Sequence, residues 1–220
     1  MTEQQAPRTA AARPAAGGDG GNGGGGGHLP TEGMPDWQLA RRRRIVEAAL
    51  RVLTARDYDR IQITDVLAEA KVARGTMYRY FASKDHLYAV VLSEWAGMGA
   101  EGRAPARLTS ATAEAETRAR VRGIVRAFER KPQFFKAFVD LQDSPDRNAV
   151  AAMADLNKAA TRDLARYFAA LGDERAEDTA NMLWSMIGNL LIRAVYHDGT
   201  MADVYRLADR FVDFAAQSLR

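Results

Sequence analysis

The chain has 220 residues, no cysteine and a formal net charge of only +3. The missing cysteine excludes a disulfide-built scaffold and any thiolate metal site. No apolar run reaches the ~18 residues a membrane span needs, and the N-terminus lacks the apolar core of a secretory signal, so a reducing cytoplasm is the expected location. The charge is unevenly placed. Between Trp37 and Lys84 there are eleven basic and five acidic residues, a surplus of six that leaves −3 for the rest. A basic segment on a mildly acidic body fits a nucleic-acid-binding head.

Residues 1–35 read as a low-complexity tail that holds ten of the 18 glycines. Such a segment buries too little apolar surface to offset its ordering entropy. Its glycine run lacks the Gly-Lys-Ser/Thr ending of a phosphate loop. Asp36 is the expected N-cap of the first helix. Ile45, Ala48, Ala49, Val52 and Leu53 then recur at helical spacing as its buried stripe. Arg41, Arg42, Arg43 and Arg44 fall in its first turns, where cations oppose the helix dipole. That unfavourable position makes Arg41, Arg42 and Arg43 candidates for phosphate contact.

The stretch from Ile61 to Lys84 reads as helix, tight turn, helix and the start of a further helix. Val66, Leu67 and Ala70 form the apolar face of the first. Gly75 to Phe81 forms the second, with Met77 and Phe81 inward and Arg74, Thr76, Tyr78 and Arg79 outward. One buried face and one face of donors is the anatomy of a helix-turn-helix. By role, Arg74 is the candidate for a bidentate contact to a guanine edge, Gly75 permits close approach, and Thr76 suits a thymine methyl or a phosphate. Tyr78 and Arg79 suit phosphates, which fix register without specifying sequence. Ser83 should cap the fourth helix, with Lys84 in its first turn and Leu87, Val91 and Trp95 as its stripe.

Gly75-Thr76-Met77-Tyr78-Arg79-Tyr80-Phe81, followed by Ser83-Lys84, resembles the signature of the TetR family of one-component transcriptional regulators. The resemblance covers Trp37 to Trp95. It implies that Tyr78 and Lys84 contact phosphates, and that Gln62 stands where the family has a Thr or Ser at the start of a helix. Lys71 replaces the usual turn glycine and Ala73 the usual capping serine. Ala is a weak cap, costing ~1 kcal/mol against Ser. Gln62, with the pattern through Ser83-Lys84-x-His86-Leu87, is similar to a branch that represses cholesterol catabolism in actinobacteria.

Gly97 to Pro105 reads as a linker, and residues 97–220 as an all-helical body. Its expected helices run from about Ser110 to Arg130, from Pro132, from Asp143-Ser144-Pro145 to Leu171 with Gly172 closing it, from Glu174 to Tyr196, and from Met201 to Leu219. The Glu174–Tyr196 helix is apolar on nearly every side, so burial all round would need a partner subunit over one side. Ile187, Leu190, Leu191, Val204 and Phe211 are the expected homodimer interface, formed as a four-helix arrangement. A short recognition helix reads few base pairs, so two heads on palindromic half-sites of double-stranded DNA ask for a dimer independently.

Trp95, Phe128, Phe134, Phe135, Phe138, Met153 and Trp184 supply the aromatic and adaptable surface of an effector pocket. The resemblance implies a repressor released by a small molecule. The branch suggests steroid or lipid catabolism, with a CoA thioester of a sterol-derived acid as effector; fatty acyl-CoA and a hydrophobic drug are the alternatives. Arg126 and Arg193 are candidates for a CoA phosphate. His28, His86 and His197 match no metal-ligand spacing, and no nucleophile or paired-carboxylate context is visible. No catalytic residue, metal, cofactor or membrane partner is therefore expected. The expected fold is all-α, about nine helices: tail 1–35, helix-turn-helix DNA-binding domain 36–96, ligand-binding and dimerisation domain 97–220. The competing readings are a ligand-independent architectural DNA binder and, least favoured, a helical lipid carrier or enzyme.

Overall fold

The computed structural model describes residues 31–101 and 112–218. The tail before residue 31 and residues 102–105 of the expected linker lie outside the described residues. Nine α-helices and one short 3-10 turn make up the described fold, with no strand among them.

Helix α1 spans Asp36–Ala55 and buries Ile45, Val46, Ala48, Ala49 and Leu53. Its N-cap is Pro35, one residue earlier than expected, and Asp36 occupies the first turn, where a carboxylate complements the dipole. After the 3-10 turn Tyr58–Arg60 comes α2, Ile63–Ala70, ended by Lys71 in the left-handed conformation at φ 54°. Helix α3, Arg74–Tyr78, starts at Ala73, which offers no side-chain cap. It is shorter than Gly75–Phe81, because the Tyr80 and Phe81 amides both turn back onto the Met77 carbonyl, at 2.9 and 3.0 Å.

Helix α4 spans Lys84–Glu101. Ser83 Oγ accepts from the His86 amide at 3.0 Å, as an N-cap does. The expected linker start is not a break: α4 runs straight through Gly97. A glycine inside a helix costs ~1 kcal/mol, too little to end one that is anchored by buried Leu87, Tyr88, Val91 and Leu92.

Helices α5 (Ala113–Arg130) and α6 (Pro132–Gln142) share the single residue Lys131 as their corner, with Pro132 in the first turn of α6. Helix α7, Arg147–Ala170, is capped by Asp146, whose Oδ1 accepts from the Asn148 amide at 2.7 Å and the Ala149 amide at 3.3 Å. At its far end Gly172 (φ 93°) donates to the Ala169 carbonyl while the Asp173 amide reaches that of Phe168. That pair of bonds is a Schellman closure, which favours glycine at the left-handed position. Helices α8 (Ala176–Tyr196) and α9 (Met201–Ser218) complete the body. Gly199 is sterically required between them: a Cβ there would lie 2.9 Å from the Arg193 carbonyl carbon.

Two buried clusters result. One joins α1, α2, α3 and α4 to the α6 and α7 residues Phe134, Leu141 and Met153. The other joins α5, α8 and α9 to Phe135 and the C-terminal half of α7. Trp95 and Phe138 pack against both. The head is therefore seated on the body through a continuous apolar core.

Candidate DNA-reading head and effector cavity

The inward side of the helix-turn-helix is fixed by Val66, Met77, Tyr80 and Phe81, all buried. A side chain such as Phe81, fully buried, contributes roughly 1.5–3 kcal/mol, which is enough to hold a five-residue helix that has no side-chain cap. What remains outward is the donor face. Arg74 and Arg79 are exposed, Thr76 is half-buried, and Tyr78 is 39% exposed. The Arg74 guanidinium lies over the Tyr78 ring at 5.9 Å. Gly75 is exposed, and a Cβ there would meet nothing within 4 Å. Nothing inside the protein demands glycine at that position, so the open space is available to a close neighbour from outside.

The other expected contacts divide. Arg43 is exposed, and Arg41 stacks over the Trp37 ring at 5.3 Å. Arg42 is turned inward: it reaches Glu94 on α4 at 3.4 Å and lies over the Phe81 ring at 5.1 Å. Gln62 is the N-cap of α2 and its amide donates to Asp65 Oδ2 at 2.8 Å, with the side chain exposed. Lys84 departs most from expectation. Its Nζ donates to the carbonyls of Tyr58 and Ile61 at 3.0 and 3.1 Å and sits 4.1 Å from the Tyr58 ring centroid. Burial lowers its pKa against the pull of Asp85 and Asp59. Lys84 thus ties the start of α4 to the turn before α2, as a donor to the Ile61 carbonyl and a second donor to the Tyr58 carbonyl, which already accepts from the Ile61 amide. Exposed Lys71, at the turn between α2 and α3, is a cation on this head that sequence reasoning did not assign.

Behind Lys84 lies a polar junction between head and body. Asp85 accepts from the Tyr58 hydroxyl through Oδ1 and from the Ser144 hydroxyl through Oδ2, the latter at 2.6 Å. Burial, then the bond to Asp85, raises the Tyr58 pKa. Burial alone would raise the Asp146 pKa, but hydrogen bonds from Ser83 and from the Asn148 and Ala149 amides hold it below the usual carboxylate value. Lys136 to Asp57, at 3.4 Å, adds a second tie.

The body holds a cavity of about 590 Å³ between α4, α5 and α7, walled by Trp95, Ile124, Phe128, Phe138, Leu156 and Trp184 among others. Four of the seven expected pocket residues line it: Trp95, Phe128, Phe138 and Trp184. Phe134, Phe135 and Met153 do not; each is fully packed in the core behind the wall. The rings form a connected series, Phe134–Trp95 at 4.8 Å, Trp95–Phe128 at 5.4 Å and Phe138–Trp184 at 6.2 Å, so these aromatics share one cluster, but only some face the space. Sequence reasoning missed the small residues Gly123, Ala127, Ala159 and Ala160, which make the space by not filling it. It also missed Arg120 and Asp163 on the wall, whose Nε–Oδ2 pair measures 2.6 Å. Arg126 and Arg193, expected near a CoA phosphate, do not line the cavity; Arg126 sits beside Arg122, Glu129 and Tyr205.

Of the expected dimer contacts, Ile187, Leu191 and Val204 are buried in the chain's own core, while Leu190 and Phe211 are half-buried. An all-round apolar helix has to fill its own body first. The most exposed large apolar side chains on these two helices are Met182 on α8, 57% exposed, and Phe214 on α9, 68% exposed. Among the described residues no helix is long and apolar enough to cross a membrane, and no group of three or more His, Asp or Glu is placed to hold a metal.

The geometry defines a class: a helix-turn-helix head seated on an all-helical body that carries an apolar cavity. Residues 45–91 match the family described as bacterial regulatory proteins, tetR family. The chain is similar over part of its length to proteins named HTH-type transcriptional repressor KstR. It is 39% identical over 69 residues to the one from Rhodococcus jostii (strain RHA1), covering 31% of this chain and 32% of that one. It is 46% identical over 50 residues to the one from Mycolicibacterium smegmatis (strain ATCC 700084 / mc(2)155), covering 23% and 24%. The match thus spans about a third or less of those relatives. The fold extends further: a TetR transcriptional regulator from Rhodococcus sp. RHA1 superposes with a TM-score of 0.66 at 22% identity, over 82% of this chain and 97% of that one. The regulator FadR from Bacillus subtilis, solved with stearoyl-CoA, gives 0.57 at 15% identity, over 79% and 97%.

Proposed function

We propose that the protein is a homodimeric, cytoplasmic, DNA-binding transcriptional repressor, released from a palindromic operator by a hydrophobic effector held in the body cavity. It is not an enzyme on this reading. Arg74, Gly75, Thr76, Tyr78 and Arg79 meet the DNA, with Arg41 and Arg43 on phosphates; Lys84 and Arg42 hold the head in shape. The observation that carries the reading is α4: one helix begins at the head, capped by Ser83, and lines the effector cavity with Leu92, Ser93 and Trp95. A ligand that moves Trp95 moves the element on which the recognition helix is mounted. The response is limited by the ligand's differential affinity for the two arrangements.

The relatives named KstR and the stearoyl-CoA bound to FadR support an effector of the acyl-CoA kind, sterol-derived or fatty, and a role in steroid or lipid catabolism. The exposed side chains of Met182 and Phe214 support dimerisation through the outer faces of α8 and α9.

The test is fluorescence anisotropy on DNA from upstream of the protein's own gene, against scrambled DNA, across salt, with and without sterol-derived and fatty acyl-CoA. Sequence-specific binding abolished by one thioester is the expected result. Equal affinity for both DNAs would favour a ligand-independent architectural binder, and no binding at low salt would end the DNA reading.

A further inference from the structure

A second cavity, about 700 Å³, lies on the other side of α7. The two spaces take alternate faces of that helix. Leu156, Ala159 and Ala160 face the apolar cavity, and Asn157, Lys158, Thr161 and Arg162 face the second one. Only Phe138 and Trp184 line both. Their rings stand edge to face at 6.2 Å, and the Trp184 indole N–H donates to Asn157 Oδ1 at 3.1 Å. Trp184 is therefore a side chain held in place as the partition between an apolar chamber and a polar one.

The chemistry of the two sides differs in kind. The polar chamber is lined by the amides of Gln142, Asn157, Asn181 and Asn189 and by three charged groups, Lys158, Arg162 and Glu177. Neither Lys158 nor Arg162 is in an ion pair among the described residues. The apolar chamber has Asp155 and Asp163 on its wall, and its one cation, Arg120, is already paired with Asp163. An anionic group would be repelled on that side and met by two unpaired cations on the other.

From this arrangement we infer that the protein binds an anionic amphiphile lying across the partition, its apolar body in the α4–α5–α7 chamber and its negatively charged head against Lys158 and Arg162. This rests on the apolar cavity being the effector site, and adds to it where the head group goes and which residues select its charge. Trp184 and Phe138 then report on the passage between the chambers, and Asn157, freed from the indole, becomes a donor or acceptor for the head.

The experiment uses the full-length protein without DNA and three probes with the same ten-carbon tail: decyl phosphate, decanol and decyltrimethylammonium. Isothermal titration calorimetry gives each affinity, and tryptophan fluorescence registers tail entry. Decyl phosphate is expected to bind roughly tenfold more tightly than decanol, and the ammonium more weakly than either. In the Lys158→Ala, Arg162→Ala double variant the phosphate should fall to the level of decanol, while decanol itself is unchanged. Both residues are exposed, and unchanged decanol affinity is also the check that the variant is folded. Equal affinity for phosphate and decanol, a preference that survives the double substitution, or no binding of any probe would each overturn the inference. Operator binding is measured separately, so a chain that prefers the anion but never binds DNA refutes the regulator and leaves this site standing.

Discussion

Two arginine-rich helices in this molecule look alike as strings and do opposite things. Helix α1 carries Arg41 to Arg44, and α5 carries Arg118, Arg120, Arg122, Arg126 and Arg130. On α5 three of the five guanidiniums are answered. Arg118 reaches Asp213, Asp209 at 3.7 Å and Glu114 at 3.2 Å; Arg122 takes Asp209 with Nε–Oδ1 at 2.9 Å; Arg120 takes Asp163 at 2.6 Å. Of these acids Asp209 and Asp213 stand on α9 and Asp163 on α7, the helices that face α5, while Glu114 is one turn back on α5 itself. In the head, Arg43, Arg74 and Arg79 are exposed and in no ion pair among the described residues. A cation with a carboxylate across the groove is part of the scaffold. A row of cations left without one keeps its field for a polyanion.

The largest expected effect tests the unanswered set. Arg74→Ala with Arg79→Ala should weaken operator binding by roughly 100-fold, from the loss of one base contact and one phosphate contact. The melting temperature should hardly move, since neither side chain makes an ion pair. Anisotropy and calorimetry on the same sample separate the two quantities. A large loss of stability would mean that these arginines are scaffold after all.

The next effect lies at the junction. Asp85→Ala leaves the Tyr58 and Ser144 hydroxyls without their acceptor. A part-buried donor without a partner costs about 1–3 kcal/mol, so urea denaturation should show a loss of about 2 kcal/mol. The same variant should bind operator but respond less to effector, because the contact that ties the start of α4 to the α6–α7 turn is gone. Full response with lowered stability would confine the junction to a structural role. Smaller again is the answered set: Arg118→Ala should cost about 1 kcal/mol, as for other partly exposed pairs, and lower the melting temperature by about 2–4 °C, with operator affinity untouched.

Much of the fold was legible because local rules decide it. Period-3.6 stripes, Ser83 as a cap, Pro132 and Gly172 as punctuation, and the inward Met77 and Phe81 are all found where the pattern puts them. The misses share one cause, which is that partners distant in sequence decide orientation. Lys84 and Arg42 are basic residues in first turns, where a phosphate contact is the natural expectation, yet carbonyls at Tyr58 and Ile61 and the carboxylate of Glu94 capture them first. The all-round apolarity of α8 suggests an interface at Ile187 and Leu191, with Val204 of α9 beside them, but the chain's own core buries all three. In the cavity, large aromatics are visible in a sequence whereas the alanines and glycine that leave the space are not, and these neighbours decide that Phe138 lines it and Phe135 does not.

The turn of the helix-turn-helix gives the finest test of the same distinction. Lys71 holds φ 54°, ψ 49°, in the left-handed region, which costs a residue with a Cβ roughly 1 kcal/mol and a glycine almost nothing. Lys71 is exposed and makes no ion pair among the described residues. Lys71→Gly should therefore stabilise the fold, by up to about 0.5–1 kcal/mol after the greater chain entropy of glycine is counted. If the lysine is one of the unanswered cations that serve DNA, the same substitution should reduce the salt dependence of operator binding by close to one phosphate contact. A gain in stability with an unchanged salt slope would place Lys71 outside the DNA-facing set and limit that set to α1 and α3. A gain accompanied by a shallower slope would extend it to the turn, where a strained cation is kept in place of the more stable glycine.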